Sequence, residues 1–143
     1  MIRRLNPHDI SSIYPKDIAM TWQPISESKL WDLINAAEAR MTPRRRRMWD
    51  AVRVTPAKWA EPSYGELGGG FWVVGIQGET VVWYNDIEGG FNRSPYKTPG
   101  TIADYRCNQD ELEHVMEYLL GRLEFGYDTG PIAGAPQAGE YRP

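Results

Sequence analysis

Cysteine and histidine are scarce in this chain, and each scarcity closes off chemistry. Cys107 is the single cysteine among 143 residues, so no disulfide can form within the chain. His8 and His114 are the two histidines, so a nucleophile–histidine triad or a histidine-built metal site would have to rest on one of them. No Gly-x-Ser-x-Gly elbow occurs. The glycine-rich stretch Gly65–Gly70 lacks the Gly-Lys-Ser/Thr of a P-loop and the spacing of a dinucleotide fingerprint. It reads instead as a flexible lead-in to the segment that follows. No apolar run approaches the ~20 residues that span a bilayer. No apolar stretch follows the basic start Met1-Ile2-Arg3-Arg4, so a signal peptide is not expected and a cytoplasmic protein is.

What the chain does contain is enough for one folded domain. Apolar residues make up 41% and aromatics 12%, with six tryptophans, which excludes global disorder. The net charge of −3 hides an asymmetry. Residues 1–60 hold 11 basic and 6 acidic side chains, for +5, and residues 61–143 hold 5 and 13, for −8. The halves attract one another, and the surplus acid suits a basic partner better than nucleic acid. The run Arg44–Arg47 lies in the first turn of an expected helix, where four cations oppose the macrodipole. Solvation and acid partners from the other half account for it better than a phosphate patch, because no nucleic-acid motif accompanies it.

Hydrophobic periodicity places the elements. Residues 1–25 carry Pro7, Pro15 and Pro24 yet are too apolar for a free tail, which suggests a packed arm with a short edge strand through Ile18, Met20 and Trp22. Ser26 caps a helix over 27–41, with Leu30, Leu33, Ile34, Ala37 and Met41 on one face. Thr42-Pro43 begins a second segment that fits helix or strand, with helix giving way to extended chain near Val52–Pro56. Residues 55–69 read as loop from their Pro and Gly content. Phe71–Ile76 and Thr80–Tyr84 form a hairpin about Gln77-Gly78-Glu79, apolar on both faces and hence central. The alternation over Thr101–Cys107 predicts a third strand. Asn108 and Glu111 are placed to cap a helix over 110–125, striped by Leu112, Val115, Met116, Leu119, Leu120 and Leu123 and stopped by Gly126. The fold class is therefore α+β: a small, mainly antiparallel sheet covered by helices. The domain spans 1–126, and 127–143 is a Gly/Ala/Pro-rich tail in which Ile132 and Tyr141 offer docking groups.

The most unusual peptide is Trp83–Asn92, WYNDIEGGFN, just past the hairpin. In extended chain Asp86 and Glu88 share a face and fit a metal or acid/base pair. Asn-Asp and Gly-Gly equally form turns, with Phe91 as anchor. Aromatic and acidic groups leaving a rigid sheet end suit partner recognition, so Trp83, Tyr84, Asn85, Asp86, Glu88, Phe91 and Asn92 are the candidate contact residues. Cys107, just before the last helix, reads as a buried small hydrophobe. His114 lies on that helix's polar face among Asp110, Glu111, Glu117 and Tyr118, and reads as a solvated side chain. No metal, cofactor or catalytic set is expected.

The residues FWVVGI, VVWYNDIEGGFN and G-x-I-x-x-Y-x-x-N-Q-x-E-L, between Pro56 and Leu120, resemble a set of small bacterial proteins without assigned function. In size, acidity, tryptophan content and helix-plus-sheet order the chain also resembles the immunity proteins that neutralise bacterial toxins. That second resemblance implies a non-catalytic protein that binds and blocks a basic toxin domain. A metal-assisted hydrolase using Asp86 and Glu88, and an assembly subunit using the tail, are the alternatives.

Overall fold

A computed structural model describes residues 22–134. Among the described residues three α-helices and four strands follow one another as α1 (Glu27–Arg40), α2 (Pro43–Val52), β1 (Arg53–Trp59), β2 (Phe71–Gln77), β3 (Thr80–Asn85), β4 (Gly90–Pro95) and α3 (Leu112–Phe125). The strands make an antiparallel meander in the order β1-β2-β3-β4. The α+β class and the helix-covered sheet expected from the sequence are what the chain adopts.

Capping fixes the first two helices locally. The Ser26 hydroxyl accepts from the Lys29 amide at 3.2 Å, and the Thr42 hydroxyl from the Arg45 amide at 3.3 Å with Pro43 behind it. The ambiguous segment is thus helix to Val52 and strand from Arg53. Glu38 ties that junction to α1, its carboxylate accepting from the Trp49 indole at 2.6 Å and from Arg53 at 2.7 Å. The four-arginine turn is offset by acids of the other half and by Asp50 of its own helix. Arg44 meets Glu117 at 2.9 Å and Glu124 at 3.3 Å, Arg45 meets Glu117 at 3.1 Å, and Arg46 meets Asp50. Arg40 likewise clasps Glu113 at 2.6 Å and Glu111 at 2.8 Å. Opposite charge on the two halves thus helps seat α1 and α2 on α3, through Arg40, Arg44 and Arg45 on Glu111, Glu113, Glu117 and Glu124.

The sheet is covered on both faces, as its two-sided apolar strands require. On one side Val74, Val82 and Phe91 pack with Leu30, Ile34, Trp49, Leu112, Met116 and Leu119 of the helices. On the other, Phe71, Val73, Val81 and Trp83 pack under Ile102, with Trp22, Trp59, Tyr96 and Tyr105 around them. Trp22 lies against Phe71 at 5.3 Å between ring centroids. Residues 1–21 of the expected N-terminal arm, Ile18 and Met20 included, lie outside the described residues.

Three expectations give way. Thr101–Cys107 is not a sheet strand. It crosses the second face from Ala60, which pairs with Thr101, to the outer edge of β4, where Asp110 pairs with Phe91. Along that edge side chains replace ladder bonds. The Asn92 amide brackets Asn108, its oxygen accepting from the Asn108 N–H at 2.7 Å and its nitrogen donating to the Asn108 carbonyl at 2.9 Å. Arg106 donates to the Arg93 carbonyl at 2.7 Å. The strand outside β3 is instead β4, built from the polar Gly90–Pro95. Residues 53–59, read partly as loop, form an edge strand that accommodates Pro56 at a register shift between Arg53 and Ala57. Lastly, α3 begins at Leu112 with no side-chain cap. The Asn108 side chain is engaged elsewhere, with Asp110, the Pro131 carbonyl and the Ala133 amide. Gly126, at φ 85°, ends the helix.

Candidate functional site

The peptide Trp83–Asn92 folds as a strand end, a tight turn and a strand start, not as extended chain. The Asn85 carbonyl side chain accepts from the Ile87 and Glu88 amides at 3.0 and 3.1 Å, and its amide nitrogen donates to the Arg106 carbonyl at 3.0 Å. Gly90 then passes so close to Asn108 and Gln109 that a Cβ there would collide with their backbone. Consequently Trp83, Asn85, Phe91 and Asn92 are buried, with the Trp83 indole donating to Ser94 at 2.9 Å. Of the seven candidate contact residues, Tyr84 and Asp86 are half-buried and Glu88 is exposed.

Asp86 and Glu88 do not share a face as extended chain would have placed them. Asp86 turns in against the segment before α1, accepting from the Ile25 amide at 2.6 Å, while its Oδ1 is buried without a partner. Burial pushes its pKa up, and the Ile25 amide, its own amide, the Lys58 charge and the Trp22 indole only partly offset this. Together with Tyr84, Lys29, Ile25 and Ser26 it lines an open depression of about 440 Å³. The arrangement holds residues 22–26 to the sheet end. Among the described residues no group of three His, Cys, Asp or Glu side chains could hold a metal ion.

A second depression, of about 370 Å³, lies beyond the outer edge of β4. Three arginines from distant parts of the chain line it: Arg93 of β4, Arg106 of the crossing segment and Arg122 of α3. Arg93 is only 2% exposed. Its Nε and Nη2 donate to the two Asp128 oxygens at 2.6 and 2.8 Å, Nη2 also reaches the Pro131 carbonyl, and its plane stacks 4.1 Å from the Tyr118 ring. Its Nη1 has no acceptor among the described residues. Arg122 donates to the Thr80 hydroxyl. Arg106 is held below its ordinary pKa by burial and by the nearby Arg93 charge, with Asp104 and Asp128 pulling the other way. Burial pushes the Asp128 carboxyl up, but the Arg93 and Gly130 hydrogen bonds and the Arg93 and Arg106 charges outweigh it and leave it lowered.

Two large apolar side chains that line this depression are open to solvent, Tyr127 at 65% and Ile132 at 48% exposure. On the last turn of α3, Leu123 is 67% exposed and Phe125 59%. Leu123 was expected within the buried stripe of the helix. The packed apolar stripe ends at Leu119 and Leu120. Residues 127–134, the described start of the tail, are extended but docked, through Asp128 on Arg93, Ala133 on Asn108 and the Cys107 amide on the Ala133 carbonyl. Ile132 sits in that docked piece, and Tyr141 lies outside the described residues. Cys107 is half-buried beside Gly134, burial raising its pKa. His114 is exposed on α3.

The chain matches no protein-family model, no curated protein and no solved structure. Sequence reasoning missed the arginine-lined depression because Arg93, Arg106 and Arg122 carry no common motif. Arg93 itself lies in the polar stretch Gly90–Pro95, which carries no strand signal, and the acid that meets it, Asp128, comes from 35 residues away.

Proposed function

We propose that this is a cytosolic protein-binding module that works by occupying its partner, in the manner of toxin-neutralising immunity proteins, without turnover. The observation that carries the reading is the exposure of Leu123, Phe125, Tyr127 and Ile132, of which Tyr127 and Ile132 share a depression with three arginines. Apolar side chains left open on the surface suit an interaction site, and aromatic residues with arginine are the side chains that dominate interface energies. The sequence resemblance to immunity proteins and the acid surplus of the second half support a basic toxin domain as the partner. Glu66, Glu79 and Glu88 are exposed with no cation in ion-pair range among the described residues, so their field is free to speed encounter with such a partner. Tyr84, Asp86 and Glu88 then belong to steering at the sheet end, and the exposed apolar side chains to affinity.

The test is binding to, and co-expression rescue from, the product of the adjacent gene. Leu123→Asp and Tyr127→Asp are expected to abolish both, and Glu88→Lys to slow association while leaving dissociation unchanged. Failure of the intact chain to bind or rescue, or full binding by both aspartate variants, would sink the reading.

A further inference from the structure

We propose that Arg93, Arg106 and Arg122 form a binding site for a phosphate-type oxyanion at the outer edge of β4. All three arginines line one depression of about 370 Å³, within the size range of small-ligand sites. One carboxylate in its lining, Asp128, offsets one of the three charges, which leaves +2 facing the space. The carboxylate nearest Arg106, Asp104, stands 3.5 Å away, is itself more than half exposed and is not part of the lining.

The arginines are held in place by bonds that leave donors over. Asp128 and the Pro131 carbonyl occupy Nε and Nη2 of Arg93, and Tyr118 fixes its plane. Arg106 is anchored through Nη1 on the Arg93 carbonyl and Arg122 through Nη1 on Thr80. Nη1 of Arg93 and the remaining nitrogens of Arg122 have no acceptor among the described residues. Planar guanidinium forks with free N–H groups match the oxygens of a phosphate, and a dianion matches the residual charge. A carboxylate ligand would supply only half of that charge. Thr80 adds a hydroxyl to the wall, and Tyr127 and Ile132 give an apolar shelf at the mouth. The shared chemistry is the phosphoryl group, whether free phosphate or the phosphorylated side chain of a partner.

This site goes beyond the protein-binding reading and needs no protein partner for its test. The full chain is titrated with sodium phosphate in a chloride buffer of fixed ionic strength, followed by NMR. Saturable shifts are expected at Arg93, Arg106, Arg122 and residues 126–128. Arg122→Gln is expected to weaken binding about tenfold, the loss of roughly one charge-assisted hydrogen bond. Arg122→Lys, which keeps the charge but not the fork, should fall between, and serves alone if the glutamine variant does not fold. Arg47→Gln, in an exposed arginine outside the depression, should change nothing. Phenyl phosphate and phosphoserine identify the source. Tighter binding of the esters than of inorganic phosphate assigns the site to a phosphorylated side chain resting on Tyr127, and weaker binding to free phosphate. Shifts that never saturate, or equal losses in the Arg122 and Arg47 variants, would overturn the proposal.

Discussion

Asp128→Asn tests the buried pair on which the β4 edge depends. Arg93 is 2% exposed and Asp128 21%, and the carboxylate accepts two guanidinium hydrogen bonds at 2.6 and 2.8 Å and the Gly130 amide at 2.9 Å. Asparagine keeps one acceptor oxygen but turns an NH₂ toward a guanidinium and leaves a buried charge uncompensated. Breaking such a pair from one side costs about 3–5 kcal/mol, and the retained acceptor and partial exposure place this case near about 3 kcal/mol. In a chain of this size that lowers Tm by about 10 °C. Thermal unfolding followed by circular dichroism reads the shift directly. Its pH dependence gives a second, independent check. The folded Asp128 carboxyl lies below its ordinary value of 3.8, so its stabilisation is complete above about pH 5 and is lost as pH falls through 3.8 toward the folded value. The gap between wild type and variant must therefore narrow on acidification. In Arg93→Met the Asp128→Asn change should cost far less than in wild type, because the charge it strands is gone. A Tm drop below about 2 °C, or a gap that does not change with pH, would refute the pairing as a source of stability.

Four further outcomes are expected. Gly90→Ala should destabilise by about 2 kcal/mol or more, since its Cβ meets the backbone of Asn108 and Gln109, which cannot move as a side-chain tip can; urea unfolding measures it, and an unchanged midpoint would contradict the close approach. Asn92→Ala should cost about 1–3 kcal/mol by stranding the buried Asn108 N–H and carbonyl, with hydrogen exchange at Asn108 accelerating more than at the β2–β3 ladder. Asp86→Asn should leave stability at pH 7 equal or higher. An acid whose folded pKa is raised contributes stability below its unfolded pKa and loses it as pH rises through the folded one; a fall of several degrees in Tm would count against this. Leu123→Asp should change Tm by no more than the small amount typical of exposed sites, within about 0.5 kcal/mol, so that any loss of partner binding reads as loss of the surface and not of the fold.

Much of the architecture was legible in the sequence because it rests on local rules. Ser26 and Thr42-Pro43 announce helix starts, Gly126 a helix stop, and Phe71–Ile76 and Thr80–Tyr84 a central hairpin by their two-sided apolar pattern. The opposite charge of the two halves foretold that the Arg44–Arg47 turn would find acids, and it finds Glu117 and Glu124. The turn chemistry of Asn85 was equally plain, for an Asn side chain bonds the amides just ahead of it wherever the chain allows.

Only the tertiary structure decided which polar residues would be buried and what would face solvent. Asn92 and Arg93 can be buried in a strand because the chain supplies Asn108 and Asp128, 16 and 35 positions later, to meet their hydrogen-bonding groups. That pairing makes Gly90–Pro95 a strand, and it lets the alternating Thr101–Cys107 cross the sheet face without joining the ladder. Leu123 and Phe125 follow the last residues of the helix packed in the core, Leu119 and Leu120, and face solvent despite their side chains. The arginine-lined depression arises the same way, from a strand, a crossing segment and a helix that meet only in the folded chain. Periodicity and capping act within a few residues and are written locally. Burial of a charge is settled by whichever distant group arrives to neutralise it.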